Sequence, residues 1–398
     1  MDAFKHKLSM TLVKTIAFHL AKQISVLTDV QSKSEKPVRL LPFDHALFCS
    51  TIEDQLETLE LKQRAEFIAD QIHKVLPSDL TTRYQIIRGM LHTRPHANLK
   101  VSQQSDENGL CGWAMMCLGP IIAKHGLSDF ELSLNMLKEM TAYFSCEFDI
   151  RPFIIADQEK ALSIILNWVN DADYHVRRLA SEGTRPRLPW AMQIPALMID
   201  PKPILPILSA LKDDDEEYVR RSVANHLNDI AKDHPDLVAN IAHEWLKEDG
   251  LEKSTQRYKN REKLVRHACR TLIKQGHIHA LKAFGIEAPK VQVVSLIALN
   301  KQVKIGDTLT FQLSLNALCI QPQKLVIDYL IHHQKANGGL TPKVFKWKNL
   351  NFIGNHTFTK THSFKVITTR KYYLGTHGIS IRINGEDFAY EEFELVAS

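Results

Sequence analysis

No stretch of this chain carries the roughly 18 consecutive apolar residues that a bilayer-spanning helix needs. The best N-terminal run, Met10 to Ile24, is interrupted by Lys14, His19 and Lys22 and is followed by no small-residue cleavage site, so it reads as the amphipathic first helix of a cytoplasmic protein. Cysteine is scarce: six, at 49, 111, 117, 146, 269 and 319, with no Cys-x-x-Cys pair and no Cys/His metal spacing. That excludes a disulfide framework and a zinc finger, and leaves reduced core thiols as the expectation. His243-Glu244 lacks the second histidine of a zinc protease helix, and no phosphate-binding glycine loop or nucleophile elbow appears. His277, His279, His332 and His333 lack partner ligands at metal spacing. The acidic run Asp213 to Glu217 directly precedes a helix, where acids serve the N-terminal amides better than a cation.

Acid is also missing where it would most be expected. Between Asp328 and Glu386 there is no Asp or Glu, while Lys335, Lys343, Lys346, Lys348, Lys360, Lys365, Arg370, Lys371 and Arg382 alternate with aromatics and five histidines. From Lys290 onward 13 Lys and Arg face 7 Asp and Glu, so the overall charge of +5 resides in the tail and the longer N-terminal part is about −1. A polyanion such as nucleic acid suits that field; a solvated basic sheet face is the plainer alternative.

What is present divides in two. At 398 residues, 44% hydrophobic and 24% charged, the chain is a soluble globular type too long for one core. From residue 1 to about 285 apolar residues recur three and four apart, as in 55–72, 127–144 and 158–170, with a polar loop at 97–109. Pro120, Pro152, Pro195, Pro203 and Pro235 are expected at helix boundaries, Pro152 in a first turn. Beyond Pro289 the period becomes two. Seven strands are predicted, over 292–298, 307–315, 324–332, 343–352, 357–368, 378–383 and 388–395, with Asn337-Gly338-Gly339 and Asn384-Gly385 as hairpin turns. The expected domains are therefore 1–285, helical, and 290–398, an immunoglobulin-like β-sandwich.

Within the helical part, Val-Arg-Arg followed by small apolar residues occurs at Val176 and Val219, and more weakly around Val265. A period of 40–47 residues fits HEAT-like repeats, in which each helix pair buries its stripe only against its neighbours. The valines should face inward and Arg177, Arg178, Arg220 and Arg221 should fall toward a concave surface or its rim. Arg178 and Glu182, four apart, can meet on one helix face, though such a pair alone is ordinarily surface decoration. After it, Gly183 ends the helix, and Thr184-Arg185-Pro186-Arg187-Leu188-Pro189 forms a stiff dibasic loop leading to Trp190. Arg185 and Arg187 are expected to grip phosphates there. Glu147 and Asp149 precede the Pro152 helix, where an N-cap role is the default and catalysis the alternative.

The string His175 to Gly183 with Arg185-Pro186-Arg187-Leu188-Pro189-Trp190, the helix Tyr218 to Pro235, and the trailing sandwich together resemble the AlkC-type DNA glycosylases, a branch of the HEAT-like AlkC/AlkD superfamily. The resemblance covers most of the chain. It implies base-excision repair of alkylation damage: removal of cationic bases such as 3-methyladenine and 3-methylcytosine from double-stranded DNA, without metal or cofactor. A monomer is expected. The resemblance also implies that Glu147 and Glu182 are active-site carboxylates, Trp190 an aromatic wall and Arg178 a residue that orders them. Arg177, Arg185, Arg187, Arg220 and Arg221, with Lys346, Lys348, Arg370 and Lys371 of the sandwich, are the candidate DNA contacts. Since no lysine sits in these motifs, no strand cleavage is expected. A HEAT scaffold for protein partners, or a DNA-binding relative without catalysis, remains the competing reading.

Overall fold

The computed structural model describes residues 2–31, 42–93, 104–368 and 370–397. Part of the 97–109 loop lies outside the described residues. The chain forms two compact units, Met1–Asp229 and Ile230–Ser398.

The first unit is helical. Its periodic stretches are cut into shorter helices wherever a capping residue intervenes. The 55–72 pattern splits between helices His45–Leu56 and Leu61–Val75, because Glu60 and Gln63 form a reciprocal capping box that starts a new helix. Asp129, Asp157 and Asp173 cap Phe130–Met140, Gln158–Leu166 and Tyr174–Glu182 in the same way, each carboxylate accepting a first-turn amide. The repeat holds in burial: Val176, Val219 and Val265 are all buried, as are Ala180, Val223 and Ala268 on the same faces.

The second unit joins the helices Pro235–Lys247, Gln256–Ala268, Arg270–Gln275 and Ile278–Ala283 to the sandwich. Helix gives way to strand between Ala283 and Val291, close to the expected change of period. The compact units nonetheless part earlier, because the last helices are fastened to the sandwich. A Cβ on Gly385 would lie 2.0 Å from the Gly276 carbonyl oxygen, and Arg382 donates to the Gln275 carbonyl at 3.1 Å. Both glycines have positive φ, so this close backbone approach needs glycine on both sides.

Eight strands make the sandwich: β1 (Val291–Ala298), β2 (Gln302–Lys304), β3 (Thr308–Ala317), β4 (Gln323–Gln334), β5 (Leu340–Phe352), β6 (Asn355–Ser363), β7 (Gly375–Ile383) and β8 (Glu386–Val396). The sheets are β1-β3-β6 and β2-β8-β7-β4-β5, antiparallel except that β2 runs parallel to β8. Alternation sets Leu309, Phe311, Leu313 and Leu315 of β3 against Leu325, Ile327, Tyr329 and Ile331 of β4 in one core. Asn384 and Gly385, both at positive φ, turn the β7–β8 hairpin as their sequence demands. Only β2, three residues long, lacked an alternation signal. No described helix is long and apolar enough to cross a membrane.

Candidate active site

A cleft of about 1040 Å3 in the first unit gathers the turn 145–149, the helix Tyr174–Glu182, the loop after it and Tyr218 of the helix Glu217–Ile230. Glu147, Arg178, Glu182, Arg185 and Trp190 all line it. Residues from Leu61 to Tyr218, up to 157 apart in sequence, thus converge on one space.

Glu147 sits on a turn anchored by two fully buried side chains, Cys146 and Ile150. The acids of this turn do not cap the following helix: its N-cap is Ile150, without a side-chain bond, and Pro152 occupies the first turn as expected. That frees Glu147 to project into the cleft. Its Oε2 accepts from Arg178 Nη1 and Ser145 Oγ, leaving Oε1 without a protein hydrogen bond among the described residues.

Arg178 is the hinge of the site. It bonds Glu147 on one side, lies 3.5 Å from Glu182 Oε1 on the other, and stacks its guanidinium 4.9 Å over the Tyr218 ring. Burial pulls its pKa down, but Glu147 and Glu182 outweigh that and hold it above its ordinary value. The i,i+4 pair is therefore an interior bridge rather than surface decoration, with side-chain exposures of 12% and 8%.

Glu182 is more fully committed. Oε1 accepts from Arg185 Nη1 at 2.6 Å and Oε2 from Ser222 Oγ at 2.6 Å. Burial would raise its pKa, yet Arg178, Arg185 and the Ser222 hydroxyl together hold it below the usual carboxylate value. The carboxyl is ionised and fixed.

Gly183 follows because of space. Its φ of −68° is right-handed, but a Cβ there would strike Ile150 Cδ1 at 2.2 Å, which would force the Glu182 helix away from the Glu147 turn.

Several DNA-contact expectations need correction. Arg185 is only 7% exposed and is spent on Glu182 and on Asp229, at 2.8 Å, so it ties two helices together instead of reaching phosphate. Arg177 is held bidentately by Asp214 at 2.6 and 3.0 Å, and Arg220 donates to the Asp214 and Asp215 carbonyls. Arg177 thus ties its helix to the turn before the next one, and Arg220 closes the turn that leads into its own helix. Arg221 stays exposed with an i,i+4 partner in Glu217, and Arg187 is half-buried. In the second unit Lys346, Lys348 and Lys371 are exposed on the sandwich, whereas Arg370 is half-buried against His333.

Pro120 also departs from its expected boundary position. It falls inside the helix Met115–His125, removing the amide that would bond the Met116 carbonyl, and both residues line the cleft.

Trp190 stands at the rim, 62% exposed, with φ of 67°. A bulky residue in the left-handed region is strained, of order 1–3 kcal/mol, and persists only where surroundings impose it. They do so here. Lys62 Nζ donates to the Trp190 carbonyl, and the fully buried Arg151 gathers the loop around it, bonding the carbonyls of Met192 (2.7 Å), Gly183 (2.9 Å) and Arg185 (2.8 Å). Burial, with Arg185 nearby, lowers Arg151 to about 10, still a cation at neutral pH. Asp229, Ser222, Arg151 and Lys62 carry the site's framework and were given no role in the sequence; Asp229 and Ser222 lay inside the quoted Tyr218 helix and Arg151 beside Glu147 and Asp149 before Pro152, while Lys62 had no motif. His226, from that same helix, bonds the Ser181 carbonyl at 2.9 Å through Nδ1. Burial and Arg185 push its pKa down to about 3, so it is neutral and Nδ1–H is the donor.

Residues 114–272 match the family described as DNA alkylation repair enzyme, and 292–397 match the C-terminal Ig-like domain of uncharacterised protein YhaZ. The uncharacterized protein YhaZ of Bacillus subtilis (strain 168) is 39% identical over 338 residues, 84% of this chain and 87% of that one. Among solved structures, the alkylpurine DNA glycosylase AlkC of Pseudomonas fluorescens, bound to DNA containing an abasic site analog, superposes with a TM-score of 0.70 at 32% identity, covering 97% of this chain and 99% of that one.

Proposed function

This chain belongs to the AlkC-type DNA glycosylases, and from that membership we propose that it is a monofunctional enzyme hydrolysing the N-glycosidic bond of cationic N3-methylated bases, 3-methyladenine and 3-methylcytosine among them. The observation that carries this reading is the single guanidinium, Arg178, that brings Glu147 and Glu182 together in a cleft rimmed by Trp190.

A base methylated at N3 is already positively charged, so it leaves without protonation. The reaction then lacks only stabilisation of the oxocarbenium-like sugar and a placed water. Glu147, with one oxygen uncommitted, is suited to both tasks: Oε1 can accept from a water while its charge faces C1′. Glu182 has no such freedom. Its part is to fix Arg178, and through it the carboxyl of Glu147. An exposed indole over a cationic base contributes about 0.5–2 kcal/mol that a neutral base would not receive, which favours charged lesions. The exposed lysines of the sandwich, Lys346, Lys348 and Lys371, would supply the sequence-independent attraction to the duplex. Lys62 does line the cleft, but its Nζ is engaged by the Trp190 carbonyl, in keeping with hydrolysis without strand cleavage.

The test is release of methylated bases from alkylated duplex DNA by wild type, Glu147→Ala and Glu182→Ala. Wild type should release 3-methyladenine, with both variants strongly impaired. Undiminished release by both variants removes the mechanism. Duplex binding without release by wild type would leave a non-catalytic binder. Borohydride trapping should give no covalent product, and a trapped complex lost in Lys62→Ala would overturn the monofunctional assignment.

A further inference from the structure

The charges of the cleft cancel before any substrate arrives. Glu147 and Glu182 are matched by Arg178, and Glu182 and Asp229 by Arg185, while the buried Arg151 adds a third cation close by. With Glu66, Lys62 and Lys124, which also line it, four carboxylates face five cations and leave no net negative charge for a cationic base or an oxocarbenium-like sugar. A fifth acid is present. Asp149 lines the same cleft, two residues beyond Glu147 on the turn held by Cys146 and Ile150. Its carboxyl packs against Gly119 so closely that a Cβ there would lie 2.2 Å from Oδ2. It caps no helix, and among the described residues it forms no side-chain hydrogen bond or ion pair. Asp149 is half-buried, and its carboxyl meets the interior of the cleft rather than a protein partner.

We propose, on the basis of the glycosylase reading, that Asp149 is a switchable counter-charge: neutral in the empty cleft, it releases its proton to solvent when a cation enters and so supplies the missing negative charge. Burial first, and then the Glu147 carboxylate beside it, push Asp149 up to about 8, which keeps it protonated at neutral pH. The other charged groups facing the cleft do not offset this. Lys62 of the Leu61–Val75 helix is engaged by the Trp190 carbonyl, and Lys124 of the Met115–His125 helix by Asp70 at 3.2 Å. Glu66 on the former helix, and Glu182 on the Tyr174–Glu182 helix, bear the same sign as Glu147. Arg178 and Arg185 are taken by their own carboxylates, and His175 completes the set. A cation beside Asp149 reverses the balance and favours the ionised form.

The test is binding of the full-length protein to two duplexes, one with a pyrrolidine abasic nucleotide, whose ring nitrogen is cationic, and one with neutral tetrahydrofuran. Calorimetry at pH 7 in buffers of different ionisation enthalpy counts the protons exchanged. Wild type should release nearly one proton with the pyrrolidine duplex and essentially none with tetrahydrofuran. Asp149→Asn should bind tetrahydrofuran DNA unchanged, release no proton with pyrrolidine, and lose roughly tenfold of the preference for the cationic duplex. Equal proton release by the variant, or none by wild type, overturns the inference. If the variant fails to bind either duplex, the wild-type count decides alone, a value near zero being fatal. Base release by wild type with no proton exchange would sink only this role of Asp149, whereas proton exchange without base release would sink the glycosylase reading.

Discussion

The cleft and the sandwich use positive charge in opposite ways. In the first unit Arg151, Arg177, Arg178 and Arg185 are buried or nearly so, each bonded to carboxylates or carbonyls. On the sandwich Lys346, Lys348 and Lys371 are exposed and form no ion pair among the described residues. The difference follows from the side chains. A guanidinium has a planar fork of donors that can satisfy several acceptors in a dry interior, whereas an ammonium on a flexible stem remains hydrated. Positive charge is framework in one region and long-range field in the other.

Six substitutions, at four kinds of position, would break or sharpen that contrast. The largest effect belongs to Glu147→Gln, which keeps shape and removes charge; single-turnover release of 3-methyladenine should fall about 10²–10⁴-fold with duplex affinity intact. Next, Arg151→Met leaves the carbonyls around the loop unbonded and should cost about 3 kcal/mol in urea unfolding, with Trp190 losing its position. A melt unchanged by this substitution would contradict the framework role. Smaller is Trp190→Ala, for which excision of a cationic base should slow by about 2–30-fold, the equivalent of about 0.5–2 kcal/mol, with no change for duplex lacking a lesion. Smallest, each of Lys346→Ala, Lys348→Ala and Lys371→Ala should lower the salt dependence of duplex binding by about one charge, uniformly across sequences. A loss confined to lesion-bearing DNA would instead place those lysines in the chemistry.

The sandwich also carries a pH dependence, of the same kind as that of the buried His226 in the first unit. Burial, with Arg370 close by, holds His333 at about 3 and His362 at about 4, so both are neutral when folded. Unfolded, they would take up protons near their ordinary 6.5. The unfolded chain therefore binds more protons below that pH, and the sandwich should lose stability as pH falls from about 6.5 toward 4. Melting temperatures across that range measure it, and an increase on acidification would contradict the assignment.

The sequence carried the architecture through periodicity. The change from a period of 3.6 to 2 near residue 289 marked where strands begin, and the Val176, Val219 and Val265 spacing marked the repeat. It could not reveal that Gly276 and Gly385 lock the last helices onto the sandwich, because that contact spans 109 positions and leaves no local pattern. Glu147, Arg178, Glu182 and Trp190 were legible through motif resemblance and do share one cleft. Arg185 was misread for a general reason: the dibasic proline loop looks solvent-facing until Asp229, 44 residues on, is seen to claim it. Arg151 and Lys62 act through backbone carbonyls, which no side-chain motif records.

The central claim is that a charged leaving base makes carboxylates sufficient. The most direct measurement is single-turnover excision of 3-methyladenine and of neutral 1,N6-ethenoadenine, each placed in the same duplex, by wild type and by Glu147→Gln. Wild type should excise the cationic base alone, and the variant should lose that activity while still binding a tetrahydrofuran duplex. Comparable excision of the neutral base, or an undiminished rate for the variant, would contradict the account.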